Sequence, residues 1–343
     1  MSLVTTCTTW IFLKTTRTLD QWNQCLVDYN GGPSVVNGLA FLFYFLFIKL
    51  EEILLQRGNF KMRENMCELS SQFKKTLEQD DHLSSPIFTF IGLLMATLFT
   101  TTLFSYQLEW ISQNCFDLSL VYALPLPIIY GLTYFIGCIP RFVFLAFTLD
   151  HFNGLTNEIK NLTEIIGQHK LDRATLSCFS NMTIRLEKVK SSLSYNLFWA
   201  ISCLSVVILV FLYNISAALI GYFNTKEWIL LLGASNSLLI AIHLLTSIWF
   251  INNRAQRVTN QVHQLKDCLR DTFISGKTNF NIRFEGQIVP VSFMKDCIVG
   301  KLGNFPGFDG KGYFVLGKSF SAKFVGILLY YVCILLKFHL SEK

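Results

Sequence analysis

A handful of residues carry spacings that could do chemistry. Gly312-Tyr313-Phe314-Val315-Leu316-Gly317-Lys318-Ser319 formally matches the phosphate-cradling pattern G-x-x-x-x-G-K-[ST]. Such a loop follows a β-strand and offers backbone N–H groups to phosphate, which bulky neighbours obstruct. Here four bulky side chains stand between the glycines and an apolar run follows, so the segment reads as the start of a membrane helix. His82, His151, His169, His243, His263 and His339 form no H-E-x-x-H or other ligand cluster. The ten cysteines include no C-x-x-C. No G-x-S-x-G is present, and neither a catalytic residue, a metal site nor a cofactor is expected. The polar groups left are isolated in apolar surroundings: Asn214, Asn236 and His243. Such groups suit small-molecule recognition or passage better than bond-breaking.

The elements that position them are set by composition. Over 343 residues, 52% are hydrophobic and only 15% charged, where a soluble domain has about 25% charged. Mean hydropathy is +0.42. This is an integral membrane protein, all-α because lipid offers no partner to a backbone N–H or C=O. A span needs about 20 apolar residues. Six segments qualify: 34–50, 86–108, 118–148, 193–223, 228–250 and 319–338. The third carries Pro125, Pro127 and Pro140 and is expected as one kinked helix. The last carries Lys323 and Lys337 and is expected to be shielded from lipid. Residues 3–13 are apolar but too short to cross.

Basic residues fix the orientation. Segments 51–85, 149–192 and 251–318 hold five, six and ten Lys/Arg, and the intervening segments 109–117, 224–227 and 339–343 hold none, one and one. The first set is therefore cytosolic and the C-terminus outside. Sequons at Asn161 and Asn181 then fall on the cytosolic side and are expected to stay unmodified, like Asn214 inside a span. Cys25 and Cys115 share the outer side, where a disulfide and two free thiols both stay open. The net charge of +6 comes from the cytosolic segments, so its partner is the anionic bilayer surface and not nucleic acid.

Two cytosolic stretches show helical spacing: Leu155, Ile159, Leu162, Ile166 with neighbouring Ile165, and Val258, Val262, Leu265, Leu269, Ile274. They extend the spans below the membrane, as solvated amphipathic helices or as a platform for subunit association. The chain divides into an N-terminal segment 1–33, a bundle 34–250, a cytosolic anchor 251–318 and a final helix with its tail, 319–343.

The C-terminal residues carry a resemblance. Gly312-Tyr313-Phe314, then Tyr331, five hydrophobic residues and Phe338, resemble the signature of insect gustatory receptors, Gly-aromatic-Phe followed by Thr-Tyr, five hydrophobics and Gln-Phe. Tyr330 stands where the family has Thr, and Lys337 where it has Gln. The resemblance extends to span spacing and the outside C-terminus, across 34–340. It implies a seven-helix receptor of inverted topology in the plasma membrane, with the first helix missing or vestigial in 1–33. It implies a ligand-gated, non-selective cation channel, built as a homo- or hetero-tetramer and opened by a small tastant. The final helix would line the pore, giving Tyr331, Leu335, Leu336, Lys337 and Phe338 as pore and gate. The outer halves of the other spans would form the ligand pocket: Thr101, Thr102, Tyr106, Gln107, Tyr122, Tyr130, Tyr213, Asn214, Trp228 and Asn236. Four copies of Lys337 around an axis would oppose cation flow. A small-molecule transporter using Asn214, Asn236 and His243, and a subunit that conducts only with a partner, remain the alternatives.

Overall fold

The computed structural model describes residues 50, 53–55, 57, 125–168, 173–226, 228–274, 281–284, 287–290, 300 and 305–341. The expected spans 34–50 and 86–108 lie outside these residues, apart from Leu50. Four long helices dominate the described residues: α1 (Pro125–Gly167), α2 (Arg173–Thr225), α3 (Trp228–Ile274) and α4 (Lys318–Ser341). A short antiparallel hairpin, β1 (Asn281–Phe284) and β2 (Gln287–Pro290), pairs Asn281 with Pro290 and Phe284 with Gln287. The fold is thus nearly all helical, with this hairpin as an exception inside the segment 251–318.

Sequence explains the helix limits. Pro125 and Pro127 occupy the first turn of α1, where a missing N–H costs nothing. Pro140 lies inside α1 and removes one ladder bond, yet the helix runs on unbroken to Gly167. Hydroxyls in the apolar stretches bond to the carbonyl one turn back, as in Ser216 to Leu212 at 2.9 Å and Ser247 to His243 at 3.0 Å. These hydroxyl hydrogens are then satisfied within their own helix. α2 closes with Lys226 in the left-handed region (φ 63°), its N–H bonded to the Tyr222 carbonyl at 2.8 Å. This turn sends α3 back alongside α2.

The lengths decide the architecture. α1, α2 and α3 have 43, 53 and 47 residues. At about 1.5 Å per residue they far exceed a hydrocarbon core about 30 Å thick. Windows apolar enough to cross a membrane lie within Ser177–Thr225, Leu230–Asp271 and Lys318–Phe338. The remainder of α1–α3 continues on the side that the charge distribution assigns to the cytosol, as expected for 149–192 and the start of 251–318.

There the three helices bury heptad-like stripes against one another. α1 contributes Phe152, Leu155, Ile159, Leu162 and Ile166; α2 contributes Met182, Leu186, Val189, Leu193 and Leu197; α3 contributes Ile251, Ala255, Val258, Val262, Leu265 and Leu269. All spacings are of three or four residues, the pattern of helices packed knob into hole. α3 is central and packs on both α1 and α2. Ile165, grouped with the α1 stripe from sequence, is 41% exposed and lies off it. The stripes find their partners within one chain, so they do not by themselves demand a second subunit. The boundary drawn at 250/251 falls inside α3, which is continuous there.

Polar ties cross the bundle. The Arg185 guanidinium donates to Glu158 at 2.9 Å, and Arg254 donates to Asn153 at 2.9 Å. Burial lifts the Glu158 carboxyl above the usual carboxylate range, against the opposing pull of Arg185. Asn161 and Asn181 lie on the exposed faces of α1 and α2. Because Val258 is fully enclosed, Val258→Asp should bury an unpaired carboxylate and abolish a monodisperse peak in detergent chromatography. Ile165→Asp, off the stripe, should leave the peak unchanged.

Candidate functional site

The expected ligand positions divide in three. Thr101, Thr102, Tyr106, Gln107 and Tyr122 lie outside the described residues. Tyr130 lies on α1 within the portion whose side chains are not described. Tyr213 and Asn214 lie on α2, Trp228 and Asn236 on α3. Tyr213 is buried, Asn214 half-buried and Trp228 59% exposed at the head of α3. Asn236 is the most suggestive: it is buried, and its Oδ1 finds no hydrogen-bond donor among the described residues. A buried carbonyl left without a donor is the kind of group a bound molecule can satisfy.

The most elaborate polar arrangement lies elsewhere, in the segment 305–317 that leads into α4. Phe308 is fully buried, its ring tilted against Phe152 of α1 (4.6 Å between centroids) and edge-on to Phe305 (5.6 Å). From it the chain makes a tight hairpin. The Leu316 N–H donates to the Phe308 carbonyl at 2.8 Å, and the Gly310 N–H to the Phe314 carbonyl at 2.9 Å. A Cβ at Gly310 would collide with the Phe314 ring, so any other residue there would have to displace that ring.

Three polar residues from the long helices hold this hairpin. On α2, Ser194 donates to Asp309 Oδ1 at 3.1 Å and accepts the Lys311 N–H at 2.9 Å. Asp309 Oδ1 also accepts the Gly312 N–H at 3.1 Å, while Lys190 Nζ reaches Oδ2 at 3.2 Å. Lys311 Nζ lies 4.4 Å from the Tyr195 ring centroid. On α3, Asn252 uses its whole amide. Its Oδ1 accepts the Gly317 N–H at 2.8 Å, and its Nδ2 donates to the Gly317 carbonyl at 3.3 Å and to Ser321 Oγ at 2.9 Å. Gly317 and Ser321 flank the first turn of α4, so Asn252 fastens the start of that helix to α3. The stretch Gly312–Ser319 that matched a phosphate loop is this turn and the head of α4.

α4 itself is loosely held. It packs mainly on α2, through Phe320, Leu328 and Val332, and only 17% of its apolar window is buried, against 50% for α2 and 39% for α3. Of the expected pore residues, Tyr331 and Phe338 are 50% and 60% exposed, Lys337 is exposed, and Leu335 and Leu336 are half-buried.

Two structures of the insect olfactory receptor OR5 from Machilis hrabei share this arrangement. One superposes with a TM-score of 0.51 at 13% identity, over 88% of this chain and 87% of the receptor. The other, in complex with eugenol, gives 0.50 at 14%, over 88% of each chain. No family model and no curated protein matches by sequence. The chain has the insect olfactory receptor fold.

In this fold three long helices, the turn and a final apolar helix follow one another, as the helical spacing of 155–166 and 258–274 and the apolar run 319–338 predict. The joint was not foreseen. Its signal was present in Pro306-Gly307, Asp309-Gly310 and Lys311-Gly312, which mark turns; nothing in the sequence named Ser194, Lys190 or Asn252 as their partners.

Burial works against the charged form of Asp309, but the Gly312 N–H, Lys190 and Ser194 outweigh it and hold the carboxyl below the usual range. A depressed acid stabilises the docked hairpin above its ordinary pKa and ceases to as pH falls through the lowered value. Hydrogen-exchange protection of the Gly312 and Leu316 amides should therefore be full at neutral pH and decline at acid pH. Asp309→Asn should lower that protection at neutral pH, by about 1 kcal/mol for a half-exposed pair, and flatten the pH dependence.

Proposed function

We propose that the chain is a subunit of a chemosensory receptor of the gustatory branch, a ligand-gated channel in the plasma membrane opened by a small molecule. The observation that carries this reading is the receptor fold, shared over most of both chains with a protein solved in complex with eugenol. The signature Gly312-Tyr313-Phe314 … Tyr331 … Phe338 supports the gustatory branch over the olfactory one.

In this reading the ligand enters among the outer parts of the spans, where Tyr213 supplies an aromatic face and Asn236 an unsatisfied acceptor. Aromatic faces with a few polar groups suit small organic tastants. Binding shifts the spans, and the shift reaches α4 through its packing on α2 and its tie to Asn252. Tyr331, Leu335, Leu336, Lys337 and Phe338 belong to the conducting helix. α4 is exposed over most of its surface in the single chain, which suits assembly as a homo- or hetero-tetramer around it. Lys337, in place of the signature's Gln, sets which ions pass.

Voltage-clamp recording in oocytes, with a panel of sugars and bitter compounds, tests the reading. A tag at the C-terminus should be reachable on intact cells, and a ligand should evoke current from the native chain or from Lys337→Gln. Asn236→Leu should raise the ligand concentration for half-activation about tenfold, for one lost hydrogen bond. A tag reachable only after permeabilisation would sink the topology. A surface-expressed chain that stays silent alone and beside other receptor subunits would sink the channel.

A further inference from the structure

Five side-chain polar atoms are buried without a hydrogen-bond partner among the described residues. One is Asn236 Oδ1, discussed above. The other four are Thr148 Oγ1 and His151 Nδ1 on α1, and Asn196 Nδ2 and Trp199 Nε1 on α2. Thr148 and Asn196 are fully enclosed.

The fold brings these four to one seam. Arg254 meets Asn153, and Cys268 meets the Thr163 carbonyl, so α1 and α3 run the same way and α2 runs against them. α1 and α2 face each other where Arg185 donates to Glu158 at 2.9 Å. On α1, His151 and Thr148 stand about two and three turns before Glu158. On α2, Asn196 and Trp199 stand about three and four turns beyond Arg185. Near-whole turns keep a residue on one side of its helix, so all four belong to the side that meets the other helix. Thr148 and Asn196 are also level, at about 15 and 16 Å from the ion pair.

Thr148 shows that this polarity is turned across the seam. Thr156, Thr163 and Thr259 give their hydroxyl hydrogens to the carbonyl one turn back, at 2.7, 2.7 and 3.0 Å. Thr148 makes no such bond. The chemistry it faces follows from its neighbours. An indole N–H and an amide NH2 only donate, and a hydroxyl can do so. Neither nearby carboxylate receives them: Glu158 is engaged by Arg185, and Asp150 is exposed. Three donors suit an acceptor that has no hydrogen of its own to place, and a small anion is such an acceptor. A lone buried charge is costly, but His151 can neutralise it by taking up a proton. Burial holds that imidazole below its usual range, with Asp150 pulling it up and Arg185 pushing it down. An anion alongside favours the protonated ring.

We propose that the inner end of the α1–α2 seam binds a halide-sized anion, taken up together with a proton on His151. Thr148, Asn196 and Trp199 donate to the anion, and His151 balances its charge. His151 lies in the segment that the charge distribution assigns to the cytosol, so the anion comes from that side. Its uptake ties together two helices that otherwise pack chiefly on α3.

Trp199 supplies the test, because iodide quenches indole fluorescence on contact. The full chain is placed in phosphatidylcholine nanodiscs, and potassium iodide replaces potassium gluconate at constant ionic strength. Collisional quenching of the other tryptophans rises without saturation and ignores chloride. The expected result is an additional saturable component, reversed by chloride and absent in Trp199→Phe. Asn196→Leu should raise the iodide needed for half-saturation about tenfold, for one lost charge-assisted hydrogen bond. Binding linked to one proton should weaken about tenfold per pH unit above neutrality. His151→Phe should bring binding at pH 6 down to the level of the native chain at pH 8. In gluconate, Asn196→Leu and Trp199→Phe should leave the thermal midpoint unchanged or raised, because each removes a buried donor; a merely structural role would lower it. Quenching that never saturates and ignores chloride would mean that the donors hold water or another part of the chain. A saturable component that survives Trp199→Phe would lie elsewhere, and one indifferent to pH would carry no proton. Any of these results overturns the proposal. No tastant is involved, so the outcome is separate from that of the channel reading.

Discussion

Inside a bilayer, two apolar helices gain little by touching, since lipid chains are as apolar as leucine. Outside it, the same contact removes apolar surface from water, at about 25 cal/mol per Å². α1, α2 and α3 are long enough to use both environments. Their membrane portions satisfy the backbone, and their extensions bury Leu155, Ile159, Val189, Leu193, Val258 and Val262 out of water. The helices are thus fastened to one another along these extensions, and the same core continues through Leu204, Val207, Ile208, Leu244 and Ile248 in the apolar stretches.

The joint at 305–317 draws on that rigid base. Phe308 sinks into the space beside Phe152, and the hairpin around it is tied to α2 by Ser194 and Lys190 and to α3 by Asn252. Each tie is worth about 1 kcal/mol alone. Together they place the head of α4 against two helices that are themselves locked. Among the described residues the rest of α4 has no comparable restraint, so this helix is fixed at one end and lightly packed along most of its length.

Much of this architecture was legible in the sequence because it rests on periodicity and charge. The steps from Leu155 to Ile166 and from Val258 to Leu269 predict helices, and helices cover both stretches. The same steps could not say what they pack against: a stripe records that it is buried, not by which partner. Here the partners are stripes of the same chain. The hairpin at 281–290 and the joint went unread for a related reason. Turn residues mark a change of direction, whereas Asn252, which is 65 residues from Gly317, is a polar residue in a helix like many others until the fold brings them together. Among the ligand positions, Asn236 reads in the sequence as an amide in an apolar run, and its burial without a donor among the described residues is visible only in the fold. Trp228 reads as an aromatic residue near the outer surface, where exposure is also the ordinary state of tryptophan.

Asn252 grips both the N–H and the carbonyl of Gly317, and so removes the freedom of α4 to slide along its own axis. What is left is rotation about a pivot. A helix of 24 residues hinged at one end is a lever about 36 Å long. A tilt of about 5° carries its far end roughly 3 Å sideways while the residues beside the pivot barely move. Movement is therefore amplified with height: Lys323 stays nearly fixed, and Lys337 sweeps the widest arc.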